Sequence, residues 1–210
     1  MPTTPLLILL LTVATYAQTS LQDERDGKTY KTVKIGEQTW MAENLNYNAE
    51  GSKCYENKQE NCAKYGRLYN WQTAMKSCPA GWHLPSEEEW IVLIETAGGK
   101  EKAGKKLKAK EGWKRRCCNT SNGTDDYGFS ALPTGEFFFP KMDQFMDAHD
   151  SARGNYAAWW SATWMGVDTI FRSAYTPTIN DENHRFYNAD AFHDEFNGIK
   201  KFIPVRCIKN

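Results

Sequence analysis

The 210-residue chain is 40% hydrophobic, which is enough apolar material for one substantial core with at most a small subdomain. Lysine plus arginine equal aspartate plus glutamate at 26 each, so the formal net charge is zero. Because affinity for nucleic acid depends on clustered positive charge, this balance argues against nucleic acid as the main partner. The eight tryptophans, ten tyrosines and ten phenylalanines are typical of irregular folds in which aromatic rings fill the core.

Residues 1–17 are predicted to be a cleaved signal peptide. Residues 6–11 form an apolar run too short to span a bilayer, and residues 15–17 suit a cleavage site. The first four residues contain no lysine or arginine, and an uncleaved N-terminal anchor is the alternative. No later segment is predicted to span a membrane. We therefore expect an exported protein at the cell surface, in the periplasm or outside the cell.

Export favours disulfides over metal ligation for the six cysteines, because their number is even and the compartment is oxidising. Six cysteines permit fifteen pairings, and the sequence alone does not choose among them. Cys54 and Cys62 bracket a polar loop and suit a local bridge. Cys78 and Cys207 flank the main body, and a bond between them would close a long loop.

The first elements after the signal peptide are predicted to be short. Residues 18–25 form a polar link. Residues 30–35 and 38–41 alternate apolar and polar side chains, which indicates a β-hairpin with one buried face. Residues 65–71 are predicted to form a strand, and residues 72–76 a short helix.

The segment CPAGWHLPSEEEW, from Cys78 to Trp90, combines a turn, a short apolar strand and a helix start. Ser86 and Glu89 have the spacing of a capping box, in which each side chain accepts a hydrogen bond from the other residue's amide. Gly98-Gly99 predicts the end of this helix. One face of the helix is apolar and is expected to be buried: Trp90, Leu93, Ile94 and Ala97.

Residues 100–116 carry nine basic side chains against two glutamates. Such a segment is either a basic surface for an acidic polysaccharide or lipid, or a solvated helix held by Leu107. We favour the solvated helix.

The adjacent Cys117 and Cys118 suggest a redox or thiol-exchange site, because a bond between neighbouring cysteines needs a strained ring and is often labile. A strained structural bridge, two free thiols and pairing with another chain are the alternatives. Redox catalysis is not favoured, because the Cys-x-x-Cys spacing is absent.

The last third of the chain alternates short apolar segments with longer polar ones. Residues 136–158 and 177–200 are predicted to be surface loops, where ligand-specific contacts are expected. The apolar segments are predicted to be strands: residues 129–132, 156–164, 170–175 and 202–208.

Six sequence blocks in this order resemble the Fibrobacter succinogenes major paralogous domain: YGRLYNW, CPAGWHLPSEEEW, AGKKLKAKEGW, NGTDDYGFSALPTGE, WWSATW and FIPVRCIKN. The resemblance covers Asp26 to Lys209, and residues 26–210 are assigned to this domain. More distantly, HLPSEEEW is similar to a segment of formylglycine-generating enzymes, and both families resemble the C-type-lectin-like superfamily.

This resemblance implies a bacterial, exported protein with an α+β, C-type-lectin-like fold. Small antiparallel sheets, two main helices and long loops are expected, with the N- and C-terminal segments brought together. A disulfide tying the first helix region to the last strand is also implied, which fits Cys78 with Cys207.

The residues offer little evidence for a metal site. C-type lectins hold calcium with Glu-Pro-Asn or Gln-Pro-Asp followed by Trp-Asn-Asp, and none of these triplets occurs here. Asp125 and Asp126 have the oxygen chemistry of calcium ligands, although a solvated turn is the favoured interpretation. Apart from this possible calcium ion, we expect no cofactor.

Our leading hypothesis is an exported, non-catalytic binding or adhesion module whose partner is a glycan or a surface or extracellular protein. No nucleic-acid partner and no membrane span after signal cleavage are expected. A thiol oxidase related to formylglycine-generating enzymes is the alternative, but it would need reactive cysteines near the C-terminus, where only Cys207 occurs. The candidate ligand-binding residues are Phe138, Tyr156, Trp164, Asp181 and Asp190.

Overall fold

The computed structural model describes residues 19–114, 121–135, 137–139, 156–164, 173–180, 185–188, 191–192 and 200–210. The predicted signal peptide and the candidate residues Cys117, Cys118, Asp181 and Asp190 lie outside these ranges.

The described residues form a mixed α and β structure with four α-helices and thirteen short strands. The helices are α1 (Gln59–Tyr65), α2 (Trp71–Ala74), α3 (Glu87–Thr96) and α4 (Lys100–Leu107). The strands are β1 (Thr19–Gln22), β2 (Thr29–Ile35), β3 (Gln38–Met41), β4 (Leu68–Tyr69), β5 (Trp82–His83), β6 (Phe137–Phe139), β7 (Tyr156–Ala158), β8 (Ser173–Ala174), β9 (Pro177–Asn180), β10 (Phe186–Asn188), β11 (Ala191–Phe192), β12 (Lys200–Pro204) and β13 (Ile208–Lys209).

The strands assemble into small antiparallel sheets, as expected from the sequence. The largest has the order β1-β2-β3-β13-β5, so the last strand of the chain lies between the N-terminal hairpin and β5. The other sheets have the orders β4-β12-β6, β10-β9-β7 and β11-β8. The N- and C-terminal segments are therefore joined in one sheet.

The predicted hairpin is confirmed as β2 and β3, which pair in register from Thr32 with Met41 to Ile35 with Gln38. The segment before it is not the polar link that the sequence suggested, because β1 pairs with β2 along its whole length. Asp23 follows β1, is fully buried and forms an ion pair of 2.7 Å with Arg25. These contacts make the N-terminal segment part of the fold.

The predicted central helix is confirmed as α3. Ser86 Oγ accepts a hydrogen bond from the Glu89 amide at 3.3 Å, and a Glu89 carboxylate oxygen accepts one from the Ser86 amide at 2.8 Å. The four side chains of the predicted apolar face are each at most 2% exposed: Trp90, Leu93, Ile94 and Ala97. The Trp90 ring lies 4.7 Å from Trp40 and 5.7 Å from Trp159, measured between ring centroids. The helix thus packs a cluster of tryptophans against the main sheet.

Two disulfide bonds staple the described chain. Cys54 is bonded to Cys62, and Cys78 is bonded to Cys207 across a separation of 129 residues. The second bond ties the segment before β5 to the segment before β13, as the resemblance implied. The loop between Cys54 and Cys62 is more ordered than expected, because α1 begins inside it.

One of the predicted late strands is wrong, and another is shorter than predicted. Residues 129–132 make only a single bridge, because Ser130 adopts a positive φ of 53° and its amide and hydroxyl donate to the Asp125 carboxylate. The strand predicted over residues 156–164 ends at Ala158. The next two amides, of Trp159 and Trp160, donate to the carbonyls at the ends of two different strands, β9 and β12, so no single ladder continues.

Further predictions are correct only in part. Residues 136–158 and 177–200 are not simply surface loops, because they contain β6, β7, β9, β10 and β11, and Ala157 and Ile179 are fully buried. The predicted strand at residues 65–71 is limited to β4, and the predicted helix at residues 72–76 is the slightly earlier α2. Residues 202–208 divide into β12 and β13.

Candidate functional site

An open groove of about 350 Å³ lies between the N-terminal hairpin and the end of α1. Its walls come from segments that are distant in the sequence, so only the fold assembles it. Four cationic side chains line it, against a single carboxylate, although the whole chain is neutral. The lining residues are 28–31, 42–44, Asn46, 62–66, Ser130, Leu132 and Arg206.

Arg206 lines the groove although it is only 1% exposed. Its Nε donates a hydrogen bond to Asn44 Oδ1 at 3.1 Å, and its Nη1 donates to the Phe129 carbonyl. Its guanidinium also lies 4.2 Å from the centre of the Phe129 ring, in cation–π geometry. Two hydrogen bonds and an aromatic face therefore fix the side chain in one orientation.

No carboxylate of the described residues forms an ion pair with Arg206. Burial accordingly lowers the pKa of Arg206 from its usual 12.5 to about 9, while the more distant Asp125 and Glu43 act in the opposite direction. The guanidinium is still protonated at neutral pH. The groove therefore has a fixed positive charge in its wall with no direct counter-ion among the described residues.

Asn44 positions Arg206. Its Oδ1 accepts hydrogen bonds from both Arg206 Nε and Trp159 Nε1, and its Nδ2 donates to the Tyr65 carbonyl at 2.9 Å. The Gly66 backbone lies close to Asn44: a Cβ on Gly66 would lie 2.6 Å from the Asn44 Cβ. The φ of Gly66 is +80°, a conformation that glycine favours. The sequence therefore needs a glycine here to let α1 approach the Asn44 loop.

The rim of the groove carries three lysines. Lys28 Nζ is already held by Asp26 at 2.8 Å and by the Asn46 carbonyl at 2.7 Å. Lys31 and Lys64 are exposed, and neither forms an ion pair with a described residue. Two lysines are thus available to a ligand in addition to Arg206.

Tyr30 also lines the groove. Its hydroxyl accepts a hydrogen bond from the Asn46 amide at 3.1 Å. Burial raises the pKa of Tyr30 to about 12, so the phenol stays neutral and keeps its own proton available for donation.

The predicted ligand-binding residues that the structure describes lie outside this groove. Tyr156 is half-buried in β7, and its hydroxyl lies 3.3 Å from Thr178 Oγ1. Trp164 is 45% exposed and packs edge-on against Trp71, with 5.9 Å between ring centroids. Phe138 lies in β6 opposite Lys201 of β12. Trp164 therefore presents a large exposed ring.

Asp125 and Asp126, the candidate calcium ligands, do not belong to a cluster of metal-ligating side chains among the described residues. Both carboxylate oxygens of Asp125 accept hydrogen bonds from Ser130, at 2.7 and 2.6 Å, and Asp126 is exposed. In the part of the chain that the structure describes, no three metal-ligating side chains of the His, Cys, Asp or Glu type come together. Asp125 instead stabilises the turn that carries Phe129.

His83 lies in β5, and its side chain is 41% exposed. Its Nε2 lies 2.8 Å from a Glu89 carboxylate oxygen, and its Nδ1 lies 2.7 Å from Asn210 Oδ1. Glu89 also completes the capping box of α3. This arrangement links the helix start to the end of the chain.

Sequence reasoning missed Arg206, Asn44 and the rim lysines. One signal was available: in the block FIPVRCIKN, a single arginine interrupts a run of residues that are otherwise apolar up to Ile208. A charge within such a buried run needs a structural or functional partner. The identity of that partner depends on tertiary contacts that the sequence does not show.

The structure thus defines an α+β domain with two disulfide staples and an open, cation-lined groove. A family model for the Fibrobacter succinogenes major domain matches residues 33–209, and the chain belongs to that family. Neither curated proteins nor solved structures gave a match when compared with this chain. None of the described helices combines the length and apolar character needed to cross a bilayer.

Proposed function

We propose that this chain is an exported, non-catalytic binding or adhesion module for a glycan or for a surface or extracellular protein. In this proposal the scaffold is C-type-lectin-like. The observation that carries the proposal is the groove of about 350 Å³, whose size is within the range of small-ligand sites.

The walls of the groove are held in place before a ligand arrives, which favours binding because less flexibility is lost. Cys62, in the middle of α1, is bonded to Cys54. Cys207, next to Arg206, is bonded to Cys78. These bonds also support export, since stable disulfides are typical of oxidising compartments.

The N- and C-terminal strands lie in one sheet, and a disulfide ties the region before α3 to the last strand; both features support the C-type-lectin-like assignment.

The alternative of a thiol oxidase needs reactive thiols. The four described cysteines are all in disulfides, so that alternative depends on Cys117 and Cys118. Thiol titration of the native protein distinguishes the two: accessible thiols together with copper uptake would favour the oxidase.

The binding proposal can be tested by blocking the groove. Ala63 is an exposed residue of α1 that lines the groove, and Ala63→Trp would fill the space without removing a contact that the fold needs. Glu60 lies on the same helix and is exposed but does not line the groove, so Glu60→Trp is the matched control.

The assay is a glycan array and a panel of purified extracellular matrix proteins, probed with the wild type and both variants. We expect the wild type and Glu60→Trp to bind the same ligand and Ala63→Trp to lose it. The proposal would be contradicted if the wild type bound nothing in either format, or if Ala63→Trp bound as well as the wild type.

A further inference from the structure

We propose that the groove binds an acidic glycan and that Arg206, Lys31 and Lys64 together recognise its oxyanion, the chemistry that uronate carboxylates and sulfate esters share. This inference rests on the proposed function and names the ligand class of the same site.

The first argument is the state of Arg206. A charge that is 1% exposed is unfavourable unless it is compensated, and no described carboxylate forms an ion pair with it. Its two protein hydrogen bonds use Nε and Nη1, and Nη2 makes no hydrogen bond to a described residue. Because Arg206 lines the groove, Nη2 is the donor that a bound oxyanion would meet.

The rim of the groove adds two exposed lysines to the charge of Arg206. Lys31 lies on β2 and Lys64 on α1, so two exposed lysines line the groove from different elements. Lys64 Nζ lies 5.1 Å from the centre of the Tyr65 ring, which also lines the groove. The only carboxylate in the lining, Glu43, accepts a hydrogen bond from the Lys31 backbone amide at 2.8 Å. The groove is therefore an excess-positive recess on a neutral chain, which attracts anions and repels cations.

The third argument favours a sugar over an acidic peptide. Between its charges the groove offers neutral hydrogen-bonding side chains, such as Thr29, Asn46 and Ser130. Its apolar lining comes from scattered aliphatic side chains, Ala42, Ala63 and Leu132, beside the rings of Tyr30 and Tyr65. A surface of hydroxyls and amides suits the many hydroxyl groups of a sugar ring.

The test uses calorimetric titration with two matched pairs of probes. Trigalacturonate is compared with its methyl ester, and sulfated galactotriose with galactotriose. We expect at least one acidic probe to bind at least tenfold more tightly than its neutral partner, and the pair that responds identifies the source of the oxyanion. The affinity should also fall as salt is raised from 50 to 300 mM, because exposed charges contribute to it.

Variants locate the contact. Lys31→Ala and Lys64→Ala should each weaken the acidic probe by about two- to fivefold, as expected for exposed charge pairs. Lys34→Ala is the control, since Lys34 is on the same strand but pairs with Glu37 outside the groove. Arg206→Gln should abolish binding if circular dichroism shows that it folds; if it does not fold, the lysine variants decide.

The inference is overturned if no acidic probe binds, if each acidic probe binds no better than its neutral partner, or if the lysine variants bind like Lys34→Ala. These results are distinguishable from failure of the proposed function. A neutral glycan whose binding is lost in Ala63→Trp would preserve the binding module and refute the acidic ligand.

Discussion

Removing the disulfide between Cys78 and Cys207 should destabilise the protein much more than removing the one between Cys54 and Cys62. A disulfide restricts the unfolded chain, and the restriction grows with the length of the loop that it closes. The two bonds span separations of 129 and 8 residues. The chain-entropy relation gives about 5 kcal/mol for the long loop and about 2.5 kcal/mol for the short one.

The comparison uses two double variants, Cys78→Ala with Cys207→Ala and Cys54→Ala with Cys62→Ala. Cys54 and Cys62 are both buried, whereas Cys207 is buried and Cys78 is half-buried, so the packing loss should be no larger in the long-loop variant than in the short-loop variant. The free energy of unfolding is measured in urea by tryptophan fluorescence, which the Trp40–Trp90 pair makes sensitive to core packing.

The long-loop variant should be less stable than the short-loop variant by about 2.5 kcal/mol. Equal stabilities, or a larger loss in the short-loop variant, would refute the reasoning. Such a result would mean that the long bond does not determine how freely the unfolded chain moves, or that β13 stays docked without it.

Three further variants test local features by urea unfolding. Gly66→Ala should lower the free energy of unfolding by at least about 2 kcal/mol, because its Cβ would displace Asn44 and its φ is positive. Gly51→Ala is the control: Gly51 shares the positive φ but faces open space, so this variant should lose less stability. Equal losses in the two variants would contradict the close contact between Gly66 and Asn44. Ser86→Ala should cost about 1 kcal/mol through loss of the helix cap, and wild-type stability would contradict the capping box. The ion pair with Arg25 lowers the pKa of Asp23 below 3.8, so its contribution is complete above pH 3.8 and is lost as pH falls further. Asp23→Asn should therefore destabilise the protein at pH 7, and its difference from the wild type should shrink as pH falls below 3.8; a difference independent of pH would be the contrary result.

The elements that the sequence predicted well are those with local physical causes. Alternation of apolar and polar residues fixes the faces of β2 and β3, and the capping residues Ser86 and Glu89 fix the start of α3. The blocks around Cys78 and Cys207 resembled a family in which such residues are bonded, and the bond is present. Each of these predictions required only neighbours in sequence or a known pattern.

The failures have causes that the pattern of apolar residues does not show. The run of apolar residues around Trp160 looks like one long strand, but its amides bond to two different strands that lie elsewhere in the sequence. The segment around Phe129 is equally apolar, yet its conformation is set by Asp125 capping Ser130. Arg206 was missed because its partners Asn44 and Phe129 are distant along the chain.

We propose that this protein binds its ligand in the groove around Arg206. The most direct measurement is a map of backbone amide chemical shifts on titration with trigalacturonate or with sulfated galactotriose, whichever binds. The largest changes should fall on residues 28–31, 42–46 and 62–66, with smaller changes elsewhere. Changes centred on the exposed ring of Trp164 and its neighbour Trp71, with none in the groove, would contradict the claim.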